Sequence, residues 1–355
     1  MEVKLITSFD EIKSIKIQWK ELEKSNSNSV FYNSYEYVEC FAENCINDNE
    51  SLFIICVSEG DRILGIAPLV IEEVRLKRVI PYKLLKIIGN GDYRDFLVCG
   101  CKSESVIKMM LDYIFNNKSK WDRIVFEYIP EQSPLLYYFF CNSDYNSLVK
   151  FKAKSPFIDF TSYSNFDELK TTFPKKANKF KSKLMREVGF NFYVEDSDLS
   201  IIDQIVDVHK LEQEYLIKEK GRVERRSLFN DEKTVKMIKE LFVRGNIVVY
   251  ILRNMNDEII TYNMCYKYKD ILYSWNSAYN HKYSNYRLNK VRYLYLFEYL
   301  MKENMEYNIF DFGVDGYAWK FEWTNKWNNV YRFSLWNDEF RYKKLFKLFR
   351  MEVDK

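Results

Sequence analysis

Lys320 lies in the stretch NIFDFGVDGYAWKFEWTNKW, 308–327, beside Trp319 and three residues ahead of Trp323, with Trp327 extending the spacing of four. An ammonium set among indoles is partly desolvated and needs a carboxylate or a ligand oxygen. Just upstream, Asp311, Gly313, Asp315 and Gly316 spell a tight turn where the backbone can approach a ligand closely. The competing account is packing. A spacing of four is also that of a helical turn starting near Tyr317 whose aromatic face lies on a sheet, with Lys320 next to that face.

Other residues could do chemistry too. The segment SAYNHKYSNYRLNKVRYLYLFEYL, 277–300, reads as a strand, a polar loop and a helix. Such a junction offers unpaired backbone N–H groups and a positive helix end suited to a pyrophosphate, and Arg287, Lys290 and Arg292 would add attraction. The loop has no glycine, which restricts backbone approach, and a plain β–α connection is the alternative. In PKKANKFKSKLMR, Lys175, Lys176, Lys179, Lys183 and Arg186 recur at helical steps as one cationic stripe. The stripe fits a phosphorylated or nucleotide-linked substrate, or a tRNA acceptor end, as well as a merely solvated face. The basic KEKGRVERR, 218–226, is open to the same readings.

His209 is one of two histidines; the other, His281, lies in the loop before the helix that starts near Leu288. On a helix from Leu199, His209 projects near Ile202, Ile205 and Leu216, with Glu212 three residues on. It could accept a proton near neutral pH, or sit half-buried as a hydrogen-bonded structural residue.

Composition narrows the classes. At 355 residues, two domains are expected. A net charge of +3, from 54 basic and 51 acidic residues, is too small for nucleic-acid binding by the whole surface and leaves only local basic patches. The seven cysteines are Cys40, Cys45, Cys56, Cys99, Cys101, Cys141 and Cys265, an odd number without zinc-type spacing. Reduced thiols in a cytoplasmic protein and no metal are expected. The charged, amphipathic start does not read as a signal peptide, and no apolar run nears the ~18 residues of a membrane span.

The elements that must position these residues follow from periodicity. SLFIICV and RILGIAPLVIEEV flank a turn at Gly60, KLLKIIG and DFLVCG read as strands, SESVIKMMLDYIFNNK as a helix and WDRIVFEYI as a buried strand. SPLLYYFF follows as a helix, then two short strands, SLVKFKAK and PFIDF. The polar TSYSN, 161–165, marks a boundary between lobes 1–160 and 161–355. Beyond it come the basic helix, the strand FNFYVE, helices over about 199–218 and 231–243, three strands, a helix from Arg287 and the strand NIFDFG. The repetition suggests an internally duplicated mixed α/β architecture.

Taken together, YSNYRL, DFGVDGYAWKFEW, the Lys/Arg-rich helix, RILGIAPL and GNGDYRDFLV resemble the bacterial acyltransferases first noted in cellulose operons, the CelD/BcsL-like branch of the GNAT superfamily, and the allied Fem-type aminoacyl transferases. The resemblance covers nearly the whole chain. It implies two tandem GNAT-like lobes meeting at a cleft, each a mixed, mostly antiparallel sheet flanked by helices. It also implies transfer of an acyl group from acyl-CoA, acetyl-CoA first, to an amine or hydroxyl of a sugar, polysaccharide or cell-envelope precursor, by direct attack and without a metal. Lys320 then becomes a fixed cation near the reacting carbonyl, Asp311 its orienting partner, and His209 a further catalytic group. Tyr283, Ser284, Asn285, Tyr286, Arg287 and Leu288 form the donor loop. Tyr93, Asp95, Lys175, Lys176, Arg186, Trp275 and Trp323 are expected to bind substrate.

The chain departs from the family pattern in places. Asn285 and Tyr286 replace Pro-Gly, putting a bulky ring where a pyrophosphate should approach; Asp315 replaces the second motif glycine and Trp319 the motif tyrosine. A Fem-like enzyme using aminoacyl-tRNA and a catalytically inactive protein of the same fold are the alternatives. The sequence carries no signature of oligomeric state.

Overall fold

The computed structural model describes residues 1–26, 28–76, 79–224, 226–303 and 306–339. The chain divides into two compact units, Met1–Ala153 with the chain from Asn329 onward, and Lys154–Asn328. The position expected for a boundary, 160/161, lies inside the second unit, and the chain from Asn329 returns to the first.

In the first unit the elements are β1 (Glu2–Ile6), α1 (Phe9–Ser14), α2 (Lys16–Ser25), α3 (Tyr35–Asn44), β2 (Glu50–Leu52), β3 (Ile54–Glu59), β4 (Arg62–Ala67), β5 (Leu69–Leu76), β6 (Ile80–Ile87), β7 (Leu97–Val98), α4 (Ser103–Asn116), β8 (Arg123–Pro130) and α5 (Pro134–Cys141). Gly60, at φ +59°, makes the β3–β4 turn. Pro68 separates β4 from β5, and the two strands join different sheets: β4 pairs with β3 and β7, β5 with β6 and β2. Strands β6 and β8 run parallel, Leu84 opposite Arg123, and α4 lies between them in the chain. The buried stripe of α4 is Val106, Ile107, Met110, Leu111 and Ile114. It packs so closely that a Cβ on Gly65 would stand 2.5 Å from Val106, a backbone approach only glycine permits.

The chain enters the second unit within β9 (Val149–Asp159) and leaves it within β15 (Trp327–Trp336). Between them lie α6 (Phe166–Lys170), α7 (Ala177–Glu187), β10 (Phe190–Glu195), α8 (Ser200–Lys220), α9 (Glu232–Val243), β11 (Ile247–Asn254), β12 (Ile259–Tyr268), β13 (Ile271–Tyr279), α10 (Leu288–Lys302) and β14 (Ile309–Asp311). The sheet order here is β10-β11-β12-β13-β14-β9. All neighbours are antiparallel except β13 and β14, which α10 joins as a strand–helix–strand crossover. Local chemistry fixes the helix ends: the Asp231 carboxylate accepts from the Lys233 and Thr234 amides to start α9, and Gly221, left-handed at φ +65°, ends α8. SLVKFKAK and PFIDF, expected as two strands, are the single β9, because the Pro156 carbonyl still accepts from Phe312 N at 3.0 Å.

An aromatic cluster forms the core under α10. Tyr293 is its hub, with ring centroids 5.3–5.8 Å from Phe297, Phe310, Phe312, Trp319 and Trp323. Edge-to-face pairs dominate, each contributing about 0.5–1.5 kcal/mol beyond the burial of area.

Candidate functional site

The turn after β14 is built around Asp311. Its carboxylate accepts from Gly313 N at 2.7 Å and from Ser155 Oγ at 3.2 Å. Gly313 at φ +75° and Asp315 at φ +70° both take left-handed backbone, which is strained for an aspartate. Lys320 is 4% exposed, and its Nζ donates to Gly313 O at 2.8 Å and Val314 O at 2.7 Å. The lysine thus fastens the turn from inside, and Asp311 holds it from the preceding strand.

The spacing of the tryptophans is not a helix face. Only Lys320–Glu322 forms a short 3-10 turn, and Trp327 opens β15, where its ring packs on Phe321 and faces the Lys154 ammonium at 4.0 Å. Trp323, expected to touch substrate, is 1% exposed and wedged between Phe173, Tyr293 and Phe297. Its indole N–H has no partner among the described residues.

The loop ahead of α10 comes next. Residues His281–Tyr286 form a 3-10 segment, and Arg287 is the helix N-cap in left-handed backbone, φ +51° and ψ +54°. No side chain caps α10, which leaves its first amides without a side-chain acceptor. The Tyr286 hydroxyl donates to Glu187 at 3.2 Å, its ring faces the Lys183 ammonium at 5.0 Å, and it packs on the Leu184–Leu288 cluster. The bulky ring is drawn sideways onto α7. Tyr283 is tied to Glu258 at 2.8 Å and to Asn254 at 3.0 Å, while Ser284 is half-buried and Asn285 exposed.

Of the three cations expected to face a pyrophosphate, only Arg287 is exposed; Lys290 is paired with Glu322. Arg292 is 4% exposed and donates through Nη1 to Thr261 Oγ1 at 3.0 Å and Tyr262 O at 2.9 Å. It has no carboxylate partner among the described residues, and its Nε is unpartnered there. Burying a cation without a counter-ion is costly, and the bonds to Thr261 and Tyr262 offset part of that cost. Sequence spacing could have exposed this burial, since Leu288, Arg292, Leu296 and Leu300 recur every fourth residue and all four are buried. The guanidinium also stands 4.8 Å over the Tyr293 ring. Burial raises the Tyr293 phenol, against the pull of Arg292 and of a hydrogen bond with Ser274.

Strands β13 and β14 pair only over 271–273, the last pair being Tyr273 and Asp311. Ser274 is therefore the first β13 residue with no partner on β14. Trp275 is the extra residue of a bulge, because Cys265 faces Ser274 while Met264 faces Asn276. Its ring meets Phe229 at 6.1 Å and Tyr266 at 5.4 Å. Phe229 in turn edges His209, whose Nδ1 shares a 2.7 Å hydrogen bond with Ser227 Oγ. Both side chains of that bond are buried, the arrangement of a structural histidine.

Three of the residues expected to bind substrate lie on or near α7. Lys175 and Lys176 are exposed just before it, and Arg186 near its end pairs with Glu187 at 2.9 Å. Lys175 lines a cavity of about 250 Å³ with Lys170, Thr171, Phe173, Asn178 and Leu294. In the basic loop 218–226, Arg225 lies outside the described residues.

Tyr93 and Asp95 belong to the first unit. Tyr93 packs on Tyr32, and the buried Asp95 carboxylate accepts from Ser133 Oγ at 2.6 Å and Phe96 N at 2.8 Å. Burial pushes that carboxyl up to about 7.

Comparison with known proteins bears on this arrangement. Residues 173–321 match the acetyltransferase (GNAT) domain family. No curated protein matches the chain by sequence. Among solved structures, FemX is similar over 98% of this chain and 99% of its own, with a TM-score of 0.64 at 13% identity. The C-terminal domain of a putative lysylphosphatidylglycerol synthetase from Agrobacterium fabrum is similar over 97% of each chain, with a TM-score of 0.54 at 11% identity. A tandem GNAT protein from the clavulanic acid biosynthesis pathway is similar over 94% of this chain and 98% of its own, with a TM-score of 0.53 at 11% identity. Among the described residues no helix is long and apolar enough to cross a membrane. The fold is that of tandem GNAT proteins, and the second unit carries the match to a GNAT acetyltransferase domain.

Proposed function

We propose that the protein transfers an acyl group, acetyl first, from acyl-CoA to an amine or hydroxyl of a sugar or cell-envelope precursor, as in the cellulose-operon branch of the superfamily. The observation that carries this reading is the parting of β13 from β14 beyond Tyr273 and Asp311, with the uncapped start of α10 following β13 in the chain. Backbone groups of β13 past Tyr273 have no partner on β14, so they are free to orient the thioester and to donate to its oxygen as negative charge develops. The amides of Leu288 and Asn289, with the Arg287 guanidinium, suit a pyrophosphate at the helix end.

In this mechanism Tyr293, with Arg292 and Ser274 against its hydroxyl, protonates the departing thiolate; its phenolate recovers a proton from the attacking group. Lys320 and Asp311 are positioning residues that hold the 311–315 turn. His209 supports the wall behind Trp275 and does not enter the proton transfers.

Thermal-shift measurements with CoA, acetyl-CoA and longer acyl-CoAs test the reading. A ligand of the native state at 100 times its Kd stabilises by about 2.7 kcal/mol. No shift with any of them would refute acyl-CoA as the donor. The exposed Lys175, Lys176 and Lys179, which have no ion-pair partner among the described residues, favour a second reading, transfer from aminoacyl-tRNA. That reading requires retention of charged tRNA that falls steeply with salt.

A further inference from the structure

Cys99 and Cys101 flank Gly100 in the first unit, and their sulfurs lie 3.2 Å apart. Cys99 is 3% exposed and follows directly on β7, its amide held by Leu64 O at 2.8 Å. Cys101 is exposed and stands two residues before α4, a helix of 14 residues that no side chain caps. Burial, reinforced by the adjacent Cys101 sulfur, raises the Cys99 thiol. The pair therefore consists of an accessible attacking sulfur and a shielded resolving one.

Closing the pair needs about 1 Å of movement to reach the ~2.05 Å of a sulfur–sulfur bond. Gly100 opens the short 3-10 turn Gly100–Lys102, and a Cβ there would meet nothing within 4 Å, so open space surrounds the link in which this movement must occur. The neighbouring structure is held in place. Helix α4 is locked on Gly65 through Val106 and Met110, and the Lys102 ammonium is held by Glu59 at 2.6 Å.

We propose that Cys99-Gly100-Cys101 is a dithiol exchange site whose substrates are small-molecule disulfides. The Cys101 thiolate attacks one sulfur of the disulfide, and the first small thiol leaves and takes up a proton. Cys99 then attacks the Cys101 sulfur, forming the 99–101 bond and breaking the mixed disulfide, and the second small thiolate leaves with the proton that Cys99 gives up. The protein dithiol is oxidised by two electrons and the disulfide is reduced to two thiols. Nothing in this step depends on acyl transfer.

The full-length protein is incubated with oxidised glutathione, digested with trypsin and mapped by mass spectrometry. Both cysteines fall in one peptide, 95–102, and the exposed Cys141 serves as an internal reference. The expected product is peptide 95–102 lighter by two hydrogens, without adduct and restored by dithiothreitol, while Cys141 carries a single glutathione. In Cys99→Ser the glutathione should remain on Cys101; in Cys101→Ser, Cys99 should stay unmodified. A wild-type peptide with two free thiols when Cys141 is modified, or with two separate adducts, overturns the proposal.

Discussion

Lys320 Nζ lies 2.8 Å from the carbonyl oxygen of Gly313, and that contact makes the lysine an anchor of the turn it follows in sequence. Its second bond, to Val314 O, leaves the ammonium satisfied by backbone while almost wholly buried. Lys320→Ala would leave the buried Gly313 carbonyl and the half-buried Val314 carbonyl without this donor. A hydrogen bond to a charged group contributes about 1.5–3 kcal/mol, so the variant should lose on the order of 2–4 kcal/mol in urea unfolding, along with turnover. An unchanged unfolding midpoint with activity abolished would instead return Lys320 to direct catalysis.

Arg292 should behave in the opposite way. Removing a buried cation that lacks a counter-ion relieves its desolvation cost, which offsets the loss of its bonds to Thr261 and Tyr262. Arg292→Met is expected to unfold within about 1 kcal/mol of wild type, or later, while turnover falls at least tenfold. Equal losses of stability and activity would mean that the guanidinium serves packing alone.

Tyr293→Phe keeps the hub ring and removes only its hydroxyl. Turnover should drop by about 10²-fold, the lower range for a lost proton donor, with KM little changed. A variant with wild-type kcat would remove Tyr293 from the mechanism.

Tyr286 bonds Glu187 across the gap between the donor loop and α7. Because its ring lies on α7, Tyr286→Phe should leave the acyl-CoA thermal shift intact and cost under about 1 kcal/mol, as surface contacts do. Tighter acyl-CoA binding by Tyr286→Gly than by wild type would show that the ring does obstruct the donor.

Asp95 predicts a pH dependence in the first unit. Burial raises its carboxyl to about 7, despite hydrogen bonds from Ser133 and Phe96, against about 3.9 in an unfolded chain. Between those values the native state holds a proton the unfolded chain has released. This contribution is therefore complete below about pH 4 and is lost as the pH rises to about 7, on the order of 4 kcal/mol in all. Asp95→Asn should abolish that slope in urea titrations at pH 5 and 8, and an unaltered slope would exclude Asp95 as its source.

Much of this was legible in the sequence, and the exceptions share a cause. Periodicity located α4, α8 and α10, because their apolar positions are set by the one face each buries. Gly60 announced its hairpin through backbone freedom. The tryptophan spacing misled, since Trp323 is buried by rings from Phe173, Tyr293 and Phe297, all distant in sequence, while Trp327 belongs to a strand. Charge misled at Arg292, expected to face a pyrophosphate near a helix start although it occupies the buried leucine register. The fastening of Lys320 and the sideways turn of Tyr286 depend on hydrogen bonds whose partners only the folded chain brings near.

The path of the chain has one more consequence. Residues 154–328 are interposed within the first unit, whose strand β15 pairs with β8, Val330 opposite Pro130. At the point of interposition Phe157 N meets Lys326 O at 3.2 Å, so the interposed piece begins and ends side by side. During synthesis the later-encoded body can therefore finish folding while the ribosome still holds back a strand of the earlier one. The body begun first is completed last, and until then β8 waits with an unzipped edge.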